Sequence, residues 1–409
     1  MRTLRSLASS TLRRAGYEIL KPGDLERLIA ERSGLTRNRR DFLVSHPPVK
    51  GSPSIELIDL PALDTPERER SAQRLLDAYR LAASQEGRTP IARVEEDLWT
   101  NLVRNELGEL LEILASNDVR ALAAYLLHFG EKYSWFGGLT FSLDGYETSR
   151  DRSRTACIYY DKLLCLAEAI GVLPLEHPEH GRWGENLCAD IDHVLESVER
   201  ELGIAIEPPV GAVHITGVRT GRGVFHYRHL SAIYTAHRLS ALSAKGGRVC
   251  EYGGGLGTVA LYARRFGLKD YTLFDIPLTN LFAGHFLIHA IGPNAVTLFG
   301  EEPAPQTIRV LPYWECTQVP AKSFELTLNQ DSFPEIDKEL VTGFLGEIRR
   351  TTRSWFLSIN HEAESEMTKV RRQLNLSGML KGQLGFERRY RMKYWMREGY
   401  VEELYALRA

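Results

Sequence analysis

The chain has 409 residues, a formal net charge of −2, 43% hydrophobic residues and 25% charged residues. That length suits about two domains and a sizeable core, and the near-neutral balance excludes a global basic field that would draw nucleic acid. No apolar run approaches the ~20 residues of a membrane span. The five cysteines (157, 165, 188, 250 and 316) form no C-x-x-C pair, which argues against a zinc site or disulfide framework and for a cytoplasmic protein.

Residues 1–16 are rich in arginine and lack acids, with Leu4, Leu7 and Leu12 on one helical face. A surface helix, a peripheral membrane anchor and an organelle presequence all fit this pattern. Residues 41–66 are proline-rich around His46-Pro47-Pro48 and read as a connector, and 67–86 are charged and helix-prone. Leu98-Trp99, Leu102-Val103, Leu107, Leu110-Leu111 and Leu114 recur at helical spacing. Ser116-Asn117-Asp118 offers a cap for a helix holding Leu122 to Phe129. Tyr133-Ser134-Trp135-Phe136-Gly137-Gly138 is an aromatic loop that suits either core packing or stacking on a sugar face. Helices are predicted from about Arg152 to Ile170, with Gly171 at the C-cap, and from Glu185 to Leu202. Residues 1–205 are therefore expected to form a mainly α-helical N-terminal domain.

From about 206 the pattern changes. A helix is predicted over Val224 to Ser243, and strand-like and helix-like runs then alternate, as in an α/β, Rossmann-like doubly wound sheet. Strands are expected near 248–252, 270–275, 295–299, 324–329 and 354–360, then an antiparallel hairpin at 388–395 and 400–406 turning at Arg397-Glu398-Gly399.

The run Arg248 to Thr258 reads as a strand, an acid at its end, a glycine turn and a helix (Val259 to Phe266). Glycines let a ligand approach the main chain closely, and the open N–H groups of the helix start face the same crevice. Gly255-Leu256-Gly257-Thr258-Val259-Ala260 fits the dinucleotide pattern G-x-G-x-x-A. Glu251-x-Gly253-x-Gly255-x-Gly257 fits the E-x-G-x-G-x-G motif of enzymes that use S-adenosyl-L-methionine (SAM). Glu251 favours SAM, because a carboxylate would oppose a pyrophosphate but attract a sulfonium and an ammonium. Asp275 lies 18 residues beyond Gly257, at the end of the next strand, where a carboxylate can hold both ribose hydroxyls. Pro277 suits the first turn of the following helix.

Ligands of such sheets bind beyond the carboxyl ends of the strands. Asn329, Asp331, Ser332 and Glu335 follow the fourth strand, where the transferred methyl would lie. Helix capping by Asp331 or Ser332, with Pro334 in the first turn, fits equally. His361 lies just past the fifth strand as a candidate proton acceptor, against the alternative of a structural histidine. Tyr313-Trp314 could pack on adenine or in the core. His226-Tyr227-Arg228-His229, at the start of the preceding helix, could reach the SAM carboxylate or the acceptor.

The combined pattern resembles the bacterial family of sugar O-methyltransferases, within the class I SAM-dependent methyltransferases. The matching pieces are Val249 to Gly255, Phe274-Asp275-Ile276-Pro277, Val310-Leu311-Pro312-Tyr313-Trp314, Asn329-Gln330-Asp331-Ser332-Phe333-Pro334-Glu335 and Asn360-His361-Glu362. The match covers about 220–409, and Ile276 stands where a related small-molecule type has leucine. The resemblance implies methyl transfer from SAM to a hydroxyl of a sugar or glycosylated metabolite. Glu251, Gly253, Gly255, Gly257, Asp275, Ile276 and Asn329 would hold the cofactor, and His361, then Asp331 and Glu335, would serve as base. The helical half would cover the acceptor or mediate a homodimer, and residues 1–16 offer a peripheral membrane contact. No compact ligand cluster appears, so a metal-free site is expected. Methylation of a non-sugar natural product at oxygen or nitrogen, a non-catalytic SAM-binding scaffold and an NAD-dependent oxidoreductase are the alternatives.

Overall fold

The structure, a computed structural model, describes residues 55–57, 65–89, 91, 99, 103–104, 107–129, 152–176, 179, 185–186, 189–209, 216–244, 246–366 and 372–408. Residues 1–16, the aromatic loop at 133–138 and most of the 41–66 connector lie outside them. Pro53–Ala409 forms one compact unit.

A short strand β1 (Ile55–Leu57) precedes helices α1 (Thr65–Gln85), α2 (Gly108–Ser116), α3 (Val119–Leu127), α4 (Arg152–Ala169) and α5 (Ile191–Leu202). Strands β2 (Thr216–Thr220) and β3 (Gly223–Phe225) lead to helix α6 (Tyr227–Leu242). The sheet region then runs β4 (Val249–Tyr252), α7 (Thr258–Arg265), β5 (Tyr271–Asp275), α8 (Pro277–Ile291), β6 (Val296–Leu298), β7 (Ile308–Pro312), β8 (Phe324–Gln330), α9 (Lys338–Thr351) and β9 (Thr352–His361). After a small β10 (Ser365–Glu366) and β11 (Arg372–Gln373) come α10 (Leu376–Leu380), β12 (Phe386–Lys393) and β13 (Tyr400–Leu407).

The main sheet has the order β12-β13-β9-β8-β4-β5-β7-β6. Strands β9, β8, β4, β5, β7 and β6 are parallel, whereas β13 is antiparallel to β9 and to β12. This is the doubly wound sheet with a C-terminal antiparallel hairpin that the alternating pattern predicts. β4 is fully buried, as a central parallel strand must be. The chain leaves it toward β5 on one side and later returns to β8 on the other. A crevice therefore opens at the carboxyl ends of these strands.

Local chemistry explains most element ends. Asp118 accepts from the Ala121 N–H and starts α3 as expected. The helix expected from Glu185 begins only at Ile191, because Asp190 caps it by accepting from the His193 N–H. The helix expected from Val224 begins at Tyr227: Gly223–Phe225 pairs with β2, and the His226 ring caps the helix. In α1, Ala72, Leu75, Leu76 and Ala82 are buried and pack against α8. Arg74 clamps that contact with a two-bond fork to Glu301 at 2.7 and 2.8 Å. β7 is a strand absent from the predicted set. Its five residues, Ile308–Pro312, pair with β5 and push β6 to the edge.

One buried ion pair fastens the hairpin to the helical layer. Glu402 is fully buried and accepts from Arg238 Nε at 2.9 Å, the Tyr234 hydroxyl at 3.0 Å and the Tyr390 hydroxyl at 2.6 Å. Arg238→Ala leaves that carboxylate short of its cation. We expect a loss of roughly 3 kcal/mol in urea unfolding, at the low end because both tyrosines remain. A loss below about 1 kcal/mol would show that the pair is not needed.

Candidate functional site

The crevice holds a cavity of about 220 Å³. Its floor is the turn after β4. Gly253 has φ +73°, and its N–H donates to the Phe274 carbonyl at 2.8 Å. A Cβ at Gly253 would lie 2.0 Å from Ser332 Oγ, and one at Gly254 2.4 Å from Leu273 Cδ2. At Gly253 a Cβ would also overlap Ser332 Cβ at 2.3 Å, so no side chain fits there, whereas at Gly254 the Leu273 side chain would have to move; bare backbone therefore faces the cavity. The Gly255 N–H donates to Asp275 Oδ2 at 3.0 Å, and the Ile276 N–H to Asp275 Oδ1 at 2.7 Å. These bonds fix the Asp275 carboxylate at the tip of β5, on the cavity wall.

Glu251, on the same wall, is 2% exposed and accepts from the Tyr271 hydroxyl at 2.8 Å. Burial pushes its carboxyl up to about 8; the Tyr271 bond opposes that rise and the Asp275 charge adds to it. An acid held this way lacks a counter-cation and is poised to gain one.

The adjoining wall is built from the loop after β8. Asn329 is fully buried and donates to the Tyr252 carbonyl at 3.0 Å and Ser332 Oγ at 2.7 Å, while its own oxygen accepts from Asn360 at 3.0 Å. Asp331 adopts φ +61°, a left-handed conformation that aspartate tolerates better than most residues. Its N–H is held by the Ile359 carbonyl and Asn360 Oδ1. Its carboxylate accepts from the Tyr400 hydroxyl and Arg397, with Arg228 at 3.7 Å. Ser332 stands at the N-cap of a short 3₁₀ turn with Pro334 in its first turn, as expected, but makes no side-chain capping bond, and Asp331 caps no helix. Phe333–Glu335 forms this 3₁₀ turn, and Asp337 caps α9 by accepting from the Glu339 and Leu340 N–H groups. Glu335 lines the cavity, with no hydrogen bond from its carboxylate among the described residues. Burial pushes that carboxyl up to about 7; the Asp331 charge adds to the rise, and Arg397 and Arg228 oppose it.

Of the residues singled out from the sequence, Glu251, Gly253, Gly255, Asp275, Ile276, Asp331 and Glu335 line one cavity. Gly257 does not. It caps α7 at φ +78°, and a Cβ there would meet Leu287 Cδ1 at 3.0 Å, so its part is packing. Asn329 lies behind the wall and positions Ser332. His361 also stands off the cavity. β9 extends through His361, pairs it with Tyr400, and directs Nε2 to Gln373 at 2.8 Å. The expectation of a histidine beyond the strand end is corrected on that ground. Tyr313 reaches the wall, and Trp314 packs in the core beside it. Trp99 and Gln330 were not expected on the wall. Trp99 lies about 150 residues before the glycine turn, and helical spacing marks it only as core. Among the described residues, no group of histidine, cysteine or acidic side chains could hold a metal ion, and no helix is long and apolar enough to cross a membrane.

No family model and no curated protein matches this chain. Solved structures are similar to part of it. The glycopeptide N-methyltransferase MtfA complexed with sinefungin is 13% identical over 44% of this chain and 87% of that one, with a TM-score of 0.33. Magnesium protoporphyrin IX methyltransferase from Synechocystis PCC 6803 with bound S-adenosylhomocysteine (SAH) is 14% identical over 44% and 84%, with a TM-score of 0.31. The PH0226 protein from Pyrococcus horikoshii OT3 is 14% identical over 42% and 86%, with a TM-score of 0.33.

The close approach of Gly253 and Ser332 has a direct test. Gly253→Ala should cost about 1–3 kcal/mol in chemical denaturation, from the left-handed backbone together with the clash. Adding Ser332→Gly should recover part of that loss. A double variant as unstable as the single one would remove the contact as a cause.

Proposed function

We propose that this protein is a SAM-dependent O-methyltransferase acting on a hydroxyl of a sugar or glycosylated metabolite. The observation that carries the reading is the pair of carboxylates, Glu251 and Asp275, flanking a glycine floor too tight for a Cβ at Gly253. That donor set suits a cationic nucleoside: Asp275 for the ribose hydroxyls, Glu251 for the ammonium, and bare amides along the chain between. Bound there, SAM would supply an electrophilic methyl group and leave as SAH.

The chain's own residues would do the remaining work. The loop at 329–335, fixed by Asn329 and Asn360, would align the acceptor, and orientation of this kind can lower a barrier by roughly 7–11 kcal/mol. Glu335 is the base we favour. It lies on the wall, its carboxylate is unbonded, and its affinity for protons is matched to neutral pH. Asp331 is occupied by Tyr400 and Arg397 and would position them and Arg228. These cations balance the acid charge on this wall, which suits an uncharged hydroxyl acceptor. The sugar itself rests on the resemblance of Asn329 to Glu335 to the sugar-methylating family. Trp99 on the wall supports a covering role for the helical half, residues 1–205.

Incubation with SAM and a pool of glycosylated metabolites and their aglycones should add one methyl to a glycosylated member in intact-mass analysis. Methylation of aglycones alone would defeat the sugar assignment, and no methyl gain in any compound would count against the activity. Glu335→Gln should lower turnover by about 10²–10⁴-fold and change SAM affinity less than twofold; wild-type turnover would dismiss Glu335 as base. Because Glu335 must be deprotonated to accept the proton, wild-type kcat/KM should rise with pH through about 7 and level off above it. Glu251 attracts the ammonium only when ionised, so SAM affinity should weaken as pH falls through about 8. Glu251→Gln should flatten that dependence; calorimetry showing the same slope in the variant would exclude Glu251.

A further inference from the structure

A half-buried cation on the cavity wall has no part in the scheme above beyond charge balance. Arg228 stands in the first turn of α6, reaches the cavity and stacks on Tyr227, with its guanidinium carbon 5.2 Å from the ring centre. Its Nε is buried and has no hydrogen-bond partner. Its ion-pair contact is Asp331 Oδ2 at 3.7 Å, beyond hydrogen-bond range, and that carboxylate is already held by Tyr400 and Arg397. A buried charged donor left open is costly unless a ligand satisfies it.

We propose that Arg228 binds the α-carboxylate of the cofactor's amino-acid end, its guanidinium donating in a fork to the two oxygens. The inference rests on reading the cavity as a SAM site and names the partner of a charge which that reading left unassigned. A ligand whose ammonium is drawn to Glu251 carries a carboxylate on the same carbon, and Arg228 and Glu251 line the same cavity. The position at the N-terminus of a 16-residue helix adds its positive end to the guanidinium.

Two ligands separate this inference from the reading beneath it. SAH carries the amino acid, whereas 5′-methylthioadenosine keeps the nucleoside and lacks it. In calorimetry at pH 8.5, where Glu251 is mostly ionised, Arg228→Met should weaken SAH by about 10- to 100-fold. The same variant should change methylthioadenosine less than twofold. Arg228→Lys, which keeps the charge but not the fork, should fall between, and it serves alone if the methionine variant does not fold. Unchanged SAH affinity, or equal weakening of both ligands, would overturn the assignment of Arg228. Wild-type protein that binds neither ligand would overturn the SAM reading and this inference together.

Discussion

The whole site depends on how closely the tips of β4 and β8 approach. Gly253 and Ser332 meet at a distance that leaves no room for a single carbon atom. That contact presses the loop after β8 onto the turn after β4 and seats one beside the other. Asn329 then has two anchors within reach, the Tyr252 carbonyl and Ser332. Asn360 ties the same loop to β9. The result is a rigid rim of amides around a cavity whose floor has no side chains.

Charge is arranged along this cavity by unequal solvation. Glu251 is buried, with a tyrosine and no cation beside it among the described residues, so burial holds back its ionisation. Asp275 is held by one amide donor of the turn, Gly255, and by the N–H of its own neighbour Ile276. On the adjoining wall, Asp331 draws in Arg397, Tyr400 and, more loosely, Arg228. Glu335 stands beside that group without a hydrogen bond and is correspondingly easier to protonate. Two acids four residues apart thus have different surroundings: Asp331 is paired, whereas Glu335 is buried without a hydrogen bond to its carboxylate.

The antiparallel hairpin contributes to this arrangement from a distance in sequence. Arg397 and Tyr400 sit at its turn and at the start of β13, so the charge on Asp331 is set by the last strand pair of the chain. Glu402, two residues on and so on the same face of β13, joins Arg238 of α6. The hairpin is therefore fastened on one face to the helix that carries Arg228 and on the other end to the loop that carries Asp331. A shift of the hairpin would therefore move both Arg228 and Asp331 on the cavity wall.

Local sequence chemistry determined the doubly wound sheet, the glycine floor and the acids at the ends of β4 and β5. Those features depend on periodicity, on the missing Cβ atoms of a tight turn and on fixed spacing, which neighbouring residues express by themselves. The surroundings of Asp331, Glu335, His361 and Trp99 were decided by the tertiary structure. Each of those depends on a partner far along the chain: Tyr400 draws His361 away into strand pairing, Arg397 neutralises Asp331, and the fold carries Trp99 to a wall built more than a hundred residues later. Which acid stays free to take a proton is a matter of burial and neighbouring charge, and those exist only once the chain has closed around it.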